Sequence, residues 1–178
     1  MNKKKSLKIT LCALFAAFTA ICSQIQIPLP YIPINLALLA VFMAGAILGV
    51  GYGTTSMCVY VLMGAVGVPV FAGFKGGLGA LTGATGGYIV GYIVCAFIIG
   101  IIIKYTGAKI YNMVIAIIIG MAACYILGTV WFIVLTGNTL VSSLSICVLP
   151  FLPGDAVKIA LASILSVRLR SVVNSIGD

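Results

Sequence analysis

The sequence predicts an all-α integral membrane protein with six transmembrane helices and both termini in the cytoplasm. Composition is the first reason: 63% of the 178 residues are hydrophobic and only 7% are charged, whereas a soluble domain averages about 25% charged residues. The second is that the basic residues stand at the ends of apolar segments. Because each span needs about 20 apolar residues, residues 1–178 are predicted to form a single membrane domain of about six helices.

The basic residues also predict the orientation. A net charge of +8 does not indicate nucleic acid, because the charges are not clustered on one face. The lipid bilayer is the predicted partner, and the positive-inside rule places the basic segment ends in the cytoplasm. This set is Lys3, Lys4, Lys5, Lys8, Lys104, Lys109, Arg168 and Arg170. Only Lys75 falls in a predicted outer loop, and Lys158 lies within a predicted helix.

Prolines and glycines mark the ends of three helices in the first part of the chain. The proline-rich stretch 28–33 ends the first helix, since proline lacks the N–H that a helix needs. A tight turn at Gly49, Gly51 and Gly53 separates the second from the third. The helices are predicted over residues 7–26, 35–50 and 54–68. Residues 1–22 also resemble a secretory signal, with lysines before an apolar run, and this alternative stays open.

A glycine-rich segment, residues 66–83, follows the third helix. It differs from the apolar segments around it and is predicted to be a structured outer loop or a re-entrant cap. The fourth and fifth helices are predicted over residues 84–103 and 110–135, a polar link over 136–145, and the sixth helix over 153–167. Pro153 suits the first helical position, where its missing N–H would be unpaired in any case.

Asp155 and Lys158 form a polar pair in the sixth helix. Residues three apart lie on one face of a helix, and a charged side chain at the centre of a bilayer costs roughly 3 kcal/mol. In a structural interpretation, Asp155 complements the helix dipole and pairs with Lys158. In a functional one, the carboxylate and the ammonium recognise the donors and acceptors of a small ligand. We favour the second, because serine or threonine would cap the helix without placing charge in the membrane.

Small residues recur every four positions in several helices, a spacing that lets helices approach closely in lipid. One ladder begins inside the glycine-rich loop and consists of Gly79, Gly83, Gly87 and Gly91. The first helix carries two interleaved small pairs, which indicate either packing within the monomer or a docking surface for another membrane protein. These pairs are formed by Ala13, Ala16, Ala17 and Ala20.

The loop and the aromatic residues supply further candidates for ligand contacts. The backbone N–H groups of residues 75–77 are a candidate concave anion site, although no G-x-x-x-x-G-K-[ST] motif is present. Most aromatic residues near the outer helix ends are assigned to an interfacial belt, with two or three facing a pocket. They are Tyr31, Phe71, Phe74, Tyr88, Tyr92 and Trp131.

Several function classes are disfavoured by what the chain lacks. The six cysteines stand singly and there is no histidine, so neither a metal nor a cofactor is predicted. Paired-carboxylate, metal and Ser-His-Asp chemistry are excluded, which leaves a dyad of Ser145 and Lys158 as the enzymatic alternative. An ion-coupled carrier that uses Asp155 is another alternative, but the inverted repeats typical of such carriers are not apparent.

Two motifs resemble the BioY family. Residues 76–91 read Gly-Gly-Leu-Gly-Ala-Leu-Thr-Gly-Ala-Thr-Gly-Gly-Tyr-Ile-Val-Gly, and residues 153–158 read Pro-Gly-Asp-Ala-Val-Lys. The prolines of the first loop and the alanine-rich first helix extend the resemblance over nearly the whole chain. The sequence departs from the family at Ala84, where proline is usual, and at residues 35–37, where Thr-Leu-Gln is usual.

The resemblance implies a six-helix biotin-binding subunit, or S component, of an energy-coupling factor (ECF) transporter in the bacterial plasma membrane. Biotin would bind from outside, and the chain, not itself an enzyme, would meet a transmembrane coupling subunit and two cytoplasmic ATPases. The coupling subunit is expected on the alanine face of the first helix. The expected substrate-binding residues are Asp155, Lys158, Tyr88, Tyr92, Asn35, Phe71, Lys75 and Gly83. An S component for another vitamin is the nearest alternative.

Overall fold

The computed structural model describes the backbone of residues 3–177 and the side chains of residues 5–173. Helices dominate this part of the chain, together with one short two-stranded ribbon. In chain order the elements are α1 (Lys3–Gln24), β1 (Gln26–Ile27), β2 (Ile34–Asn35), α2 (Ala37–Ala65), α3 (Leu78–Thr82), α4 (Gly86–Thr106), α5 (Ile110–Thr136), α6 (Leu140–Cys147) and α7 (Leu152–Gly177).

The long helices are apolar enough to cross a membrane. In the described part of the chain, four pass by length and composition: Lys5–Gln24 of α1, and the whole of α2, α4 and α5. A fifth candidate is the pair formed by α6 and Leu152–Val173 of α7, which is bent by 54°. The chain is therefore a multi-pass membrane protein.

Helix α2 is sharply folded at Gly49, whose backbone angles (φ 75°, ψ −170°) are not helical. This conformation is essentially restricted to glycine. In a straight helix, residues nine apart would be separated by about 13 Å, yet a Cβ on Gly53 would overlap the carbonyl group of Ala44. The arms before and after Gly49 therefore run back alongside each other, as the predicted glycine turn between the second and third helices requires.

Small residues let α4 pack closely against both α2 and α5. A Cβ at Gly45 would overlap the backbone of Ala96 in α4, and one at Gly91 would overlap the Cys124 side chain in α5. The predicted close packing is thus confirmed at Gly91 of the glycine ladder. Gly79 has open space around its Cα instead, because it lies in the outer loop rather than in a helix interface.

Helix α1 is an integral part of the bundle. Its Phe15 and Cys22 side chains are buried, and the hydroxyl of Ser56 in α2 donates to its Cys12 carbonyl over 2.7 Å. These contacts favour the predicted first helix over the alternative of a secretory signal. The helix ends at Gln24 rather than at residue 26, because residues 26 and 27 pair with residues 34 and 35 as the β1–β2 ribbon.

Two predicted boundaries in the C-terminal part of the chain are wrong. The link over residues 136–145 becomes helical at Leu140, because the Thr139 hydroxyl accepts a hydrogen bond from the Ser142 N–H (3.3 Å) and caps α6. Helix α7 begins at Leu152, one residue before the predicted start, but it continues well beyond the predicted end at residue 167. Arg170 thus lies inside it and donates to the Ala46 carbonyl, next to the fold in α2.

Candidate functional site

A cavity of about 200 Å³ lies at the end of the bundle where the β1–β2 ribbon and the glycine-rich loop meet α4, α5 and α7. These five parts all contribute to its wall. The residues used below are Gln26 and Asn35 from the ribbon, Phe71 and Lys75 from the loop, Tyr88 and Tyr92 from α4, and Tyr125 and Lys158 from α5 and α7. A concave cavity with several aromatic side chains and a few polar groups is typical of small-molecule sites.

The polar floor of the cavity is formed by Asp155, Lys158 and Tyr125. The Lys158 ammonium donates to Asp155 Oδ1 over 2.9 Å, and the two side chains are only 5% and 1% exposed. The Tyr125 hydroxyl, from α5, donates to Asp155 Oδ2. Both carboxylate oxygens therefore have partners, which is how a buried charge avoids a large desolvation cost.

The floor presents both hydrogen-bond donors and an acceptor to the cavity. Lys158 and Tyr125 line the cavity, whereas Asp155 lies behind them and is not part of its wall. An ammonium has three N–H donors, of which Asp155 takes one, and the Tyr125 oxygen keeps its lone pairs after donating its proton. In this structure Lys158 and Tyr125 thus stand between Asp155 and the cavity, while direct contact of Asp155 with a ligand stays a prediction.

Aromatic rings from α4 and α5 form the side walls. The Tyr88 ring meets the Tyr125 ring edge to face at 6.2 Å between centroids, and the Tyr88 hydroxyl shares a 3.0 Å hydrogen bond with that of Thr129. Gly128 makes room for the Tyr88 ring, which a Cβ at this position would overlap. Tyr92 lies beside Tyr60, with centroids 6.3 Å apart. These contacts fix flat walls suited to a compact ring system.

The ribbon contributes two amide side chains to the cavity. Asn35 lines the wall, and its Oδ1 also accepts the Ala37 N–H over 3.1 Å at the start of α2. Gln26 Oε1 is buried and has no hydrogen-bond partner among the described residues. An unpaired buried acceptor is costly, so this oxygen is suited to a ligand that carries an N–H group.

Residues 70–75 of the glycine-rich loop form the roof of the cavity. Phe71 and Lys75 pair through their backbones as an isolated bridge, and both line the cavity. Gly64 in α2 leaves space for the Phe71 ring. Gly83 lies instead in a more open outer pocket that shares Lys75 with the cavity, and its carbonyl accepts from the Trp131 indole over 3.0 Å.

The predicted concave anion site at residues 75–77 does not form. The Lys75 N–H already donates to the Phe71 carbonyl over 3.2 Å, and the Gly77 N–H donates to the Gly64 carbonyl over 2.7 Å. These backbone bonds hold the loop on α2 and leave the N–H groups unable to converge on an anion. Positive charge at this side of the cavity comes from the Lys75 side chain alone among the described lining residues.

Comparison with known proteins identifies the family of this fold and site. The sequence model of the BioY family matches residues 1–175. The chain belongs to the BioY family. The probable biotin transporter BioY of Pyrococcus horikoshii is 36% identical over 166 residues, 93% of this chain and 98% of the relative. The biotin transporter BioY of Thermotoga maritima is 34% identical over 159 residues, 89% of this chain and 93% of the relative.

A solved structure of the same architecture agrees with this membership. A crystal structure of the S-component for biotin from an ECF-type ABC transporter superimposes with a TM-score of 0.89 at 30% identity. The match covers 96% of this chain and 94% of that one. The BioY fold thus extends over almost the whole length of both chains.

The alanine pairs of the first helix separate onto two faces in this BioY-family fold. Ala16 is buried and Ala20 is half-buried against the core, whereas Ala13 and Ala17 are exposed on the outside of the bundle. The pair of Ala16 and Ala20 therefore packs within the monomer. Of the two pairs, only Ala13 and Ala17 lie on a surface that a partner could contact.

The enzymatic alternative finds no support at Ser145. Its hydroxyl is exposed and donates to the Val141 carbonyl over 3.0 Å, while the Lys158 ammonium donates to Asp155. Neither group activates the other in this arrangement, because a nucleophile and its base must lie within hydrogen-bond reach.

Three polar residues around the cavity were not predicted from the sequence. Tyr125 is 30 positions from its partner Asp155 and stands in an apolar helix. It directly follows Cys124, which stands at four-residue spacing with the small residues Ala116, Gly120 and Gly128, and so lies beside a helix-packing face. Gln24 and Gln26 are the only glutamines of the chain. Two amide side chains beside the predicted end of an apolar helix are a sequence signal for polar contacts at that end.

Proposed function

We propose that this chain is the high-affinity biotin-binding membrane subunit, the S component, of an ECF-type ABC vitamin importer. It would capture biotin from outside a bacterial cell, in the plasma membrane. Membership of the BioY family supports this proposal, as do relatives named biotin transporters and the similarity to a biotin S-component. The observation that carries it is the donor and acceptor floor beneath an aromatic cavity.

The chemistry of biotin fits this floor. Its cyclic urea has two N–H donors and one carbonyl acceptor. The free N–H groups of Lys158 suit the carbonyl, and the Tyr125 oxygen suits one urea N–H, since both residues line the cavity. A ligand without the urea N–H groups would leave buried acceptors unpaired, at a cost of about 1–3 kcal/mol for each. The site would therefore reject such analogues.

The other end of biotin carries a carboxylate, which we place near Lys75. Lys75 reaches the cavity from the roof and remains exposed, so it contributes positive charge without a burial cost. The floor, in contrast, already contains one carboxylate, Asp155. A second carboxylate beside it would be disfavoured by like-charge repulsion.

For the topology, we propose six spans with both termini in the cytoplasm. Counting the two arms of α2 separately, and α6 with α7 as one bent span, supports this number. Lys8 lies over the Tyr52 ring at 5.7 Å, and Arg170 contacts Ala46, so both are near the fold in α2. Lys75 belongs to the opposite, cavity-bearing end, and the positive-inside rule makes that end external.

The proposed partners are a transmembrane coupling subunit and two cytoplasmic ATPases. The exposed Ala13 and Ala17 of α1 support a docking face for the coupling subunit, because small residues four apart let another helix approach closely. In this assignment the chain binds substrate without catalysis, and the ATPases supply the energy.

Calorimetric titration of the purified protein in detergent tests the substrate. We expect saturable one-to-one heat with biotin and none with thiamin or riboflavin at the same concentrations. A folded protein that binds thiamin or riboflavin instead would assign the chain to another vitamin. Absence of biotin heat from a folded sample would reject the biotin assignment.

A further inference from the structure

The roof of the cavity has an unusual backbone at its tip. Gly73 and Phe74 follow each other with φ values of 73° and 55°. A positive φ is unstrained for glycine but uncommon for a residue with a bulky side chain. The Phe74 side chain is 72% exposed, so burial of its ring does not compensate for this conformation. The backbone around it must therefore be held by other contacts.

The end of α1 provides these contacts through Gln24. The Gln24 Oε1 atom accepts the Phe74 N–H over 2.9 Å. Its Nε2 atom donates to the carbonyls of Phe71, over 3.1 Å, and Val70, over 3.2 Å. One amide thus engages three residues of the six-residue roof, using both its donor and its acceptor.

A second side chain of α1 reinforces this attachment. The Ser23 hydroxyl donates to the Val70 carbonyl over 2.6 Å, and this serine is buried. Tyr60 in α2 donates to the same carbonyl over 3.2 Å. The carbonyl of Val70 is therefore fixed from two helices, while the Phe74 N–H at the tip donates to the Gln24 side chain.

We infer that Gln24 is a positioning residue that holds the roof closed over bound substrate, so that α1 sets access to the cavity. Gln24 does not line the cavity itself. It acts through Phe71 and Lys75, whose positions depend on the backbone that it binds. The inference rests on the proposed function only for the identity of the substrate.

The test compares Gln24→Met, which keeps the length of the side chain but removes its hydrogen bonds, with the wild type. Thr10→Val is the matched control, because Thr10 is an exposed residue of the same helix whose hydroxyl bonds only locally, to the Ser6 carbonyl (3.1 Å). The first readout is the dissociation rate of biotin. The second is the rate of tryptic cleavage after Lys75 without biotin, with cleavage after Lys109 as an internal reference for global unfolding.

We expect Gln24→Met to release biotin roughly tenfold faster or more, since it loses three hydrogen bonds to the roof. Cleavage after Lys75 should accelerate while cleavage after Lys109 does not. Thr10→Val should match the wild type in both assays. Wild-type release together with unchanged cleavage in Gln24→Met would overturn the inference, as would equal acceleration at both lysines.

Ser23→Ala serves as the second variant if Gln24→Met does not fold. It removes the bond to the Val70 carbonyl, together with the contacts of the same hydroxyl with the Ala20 carbonyl and with Gln24 Nε2. Because the Gln24 bonds to the roof stay in place, it should accelerate both biotin release and cleavage after Lys75 by a smaller factor, and no acceleration would overturn the inference. Should the wild type bind no biotin, the substrate proposal fails, but the cleavage comparison still decides whether Gln24 holds the roof.

Discussion

The floor and the roof of the cavity are built in opposite ways. The floor is carried by α5 and α7, and its charged pair is almost completely buried and internally hydrogen-bonded. The roof is a loop with two positive φ values, and Lys75 within it is exposed. Helix-borne groups are held more precisely than loop-borne ones. The floor is therefore suited to selecting the ligand, and the roof to controlling its entry and release.

This difference also separates two kinds of energetic effect. Removing one member of a buried ion pair leaves the other charge uncompensated, so floor substitutions affect folding as well as binding. The bonds of Gln24 to the roof are partly buried or exposed and join uncharged groups, so losing them should affect folding less than breaking the buried ion pair. Comparing the effects of substitutions at the two places tests whether the division of roles is correct.

The largest effect is expected for Lys158→Met. Breaking a buried pair by removing one partner costs about 3–5 kcal/mol, so this variant should unfold at a much lower temperature and lose biotin binding. Asp155→Asn should also weaken biotin binding, by roughly 2 kcal/mol or more, because it leaves the Lys158 ammonium unpaired. Thermal unfolding in detergent and biotin titration measure the two effects.

The double variant Asp155→Asn with Lys158→Met is the control for this prediction. It removes both charges, so it should be more stable than Lys158→Met alone. If both single variants kept wild-type stability and affinity, the pair would not be the buried floor that we describe.

A smaller effect is expected for Tyr125→Phe. The substitution removes the hydrogen bond to Asp155 and the acceptor proposed for a urea N–H, and bonds to charged groups contribute about 1.5–3 kcal/mol. Biotin affinity should therefore fall by about tenfold or more. Tyr111→Phe on the same helix is a matched control, since Tyr111 is 57% exposed and lies outside the cavity wall. Equal biotin affinities of the two variants would show that the Tyr125 hydroxyl does not contribute to binding.

Gln26→Leu should weaken binding without destabilising the ligand-free protein. Its buried oxygen has no partner among the described residues, so replacing it by an apolar group removes no existing bond. Biotin affinity should fall several-fold, corresponding to about 1 kcal/mol. Titration and thermal unfolding of the same sample separate the two quantities, and a drop in stability with unchanged affinity would contradict this role.

No effect is expected for Ser145→Ala. The exposed hydroxyl donates to a carbonyl of its own helix, and surface substitutions of this kind usually change stability by less than about 0.5 kcal/mol. Biotin uptake by cells that also contain the partner subunits should equal that of the wild type. A large loss of uptake would instead support the alternative of a catalytic dyad formed by Ser145 and Lys158.

Much of the fold was predictable because glycine and proline act locally. The turn at Gly49 and the start of α7 near Pro153 both follow from single residues with restricted or permissive backbones. The pair of Asp155 and Lys158 was also predictable, since three positions on a helix bring the two side chains together. These features depend on short-range geometry that a sequence pattern records.

The missing parts depend on long-range contacts. Tyr125 reaches Asp155 from another helix, and Gln24 reaches Phe74 across 50 positions. No local pattern states which helix face meets which loop. The predicted anion site at residues 75–77 was wrong for the same reason, because Gly64 in α2 already accepts the Gly77 N–H.

In the proposed arrangement the floor binds the urea ring of biotin and the roof binds its carboxylate. Titrating wild-type protein and Lys75→Gln with both biotin and biotin amide tests it directly, because the amide removes the ligand's charge but keeps its ring. We predict that Lys75→Gln weakens biotin binding by up to about fivefold, as expected for one exposed charge pair, and leaves the amide unaffected. An equal effect on both ligands, or none on either, would contradict this arrangement.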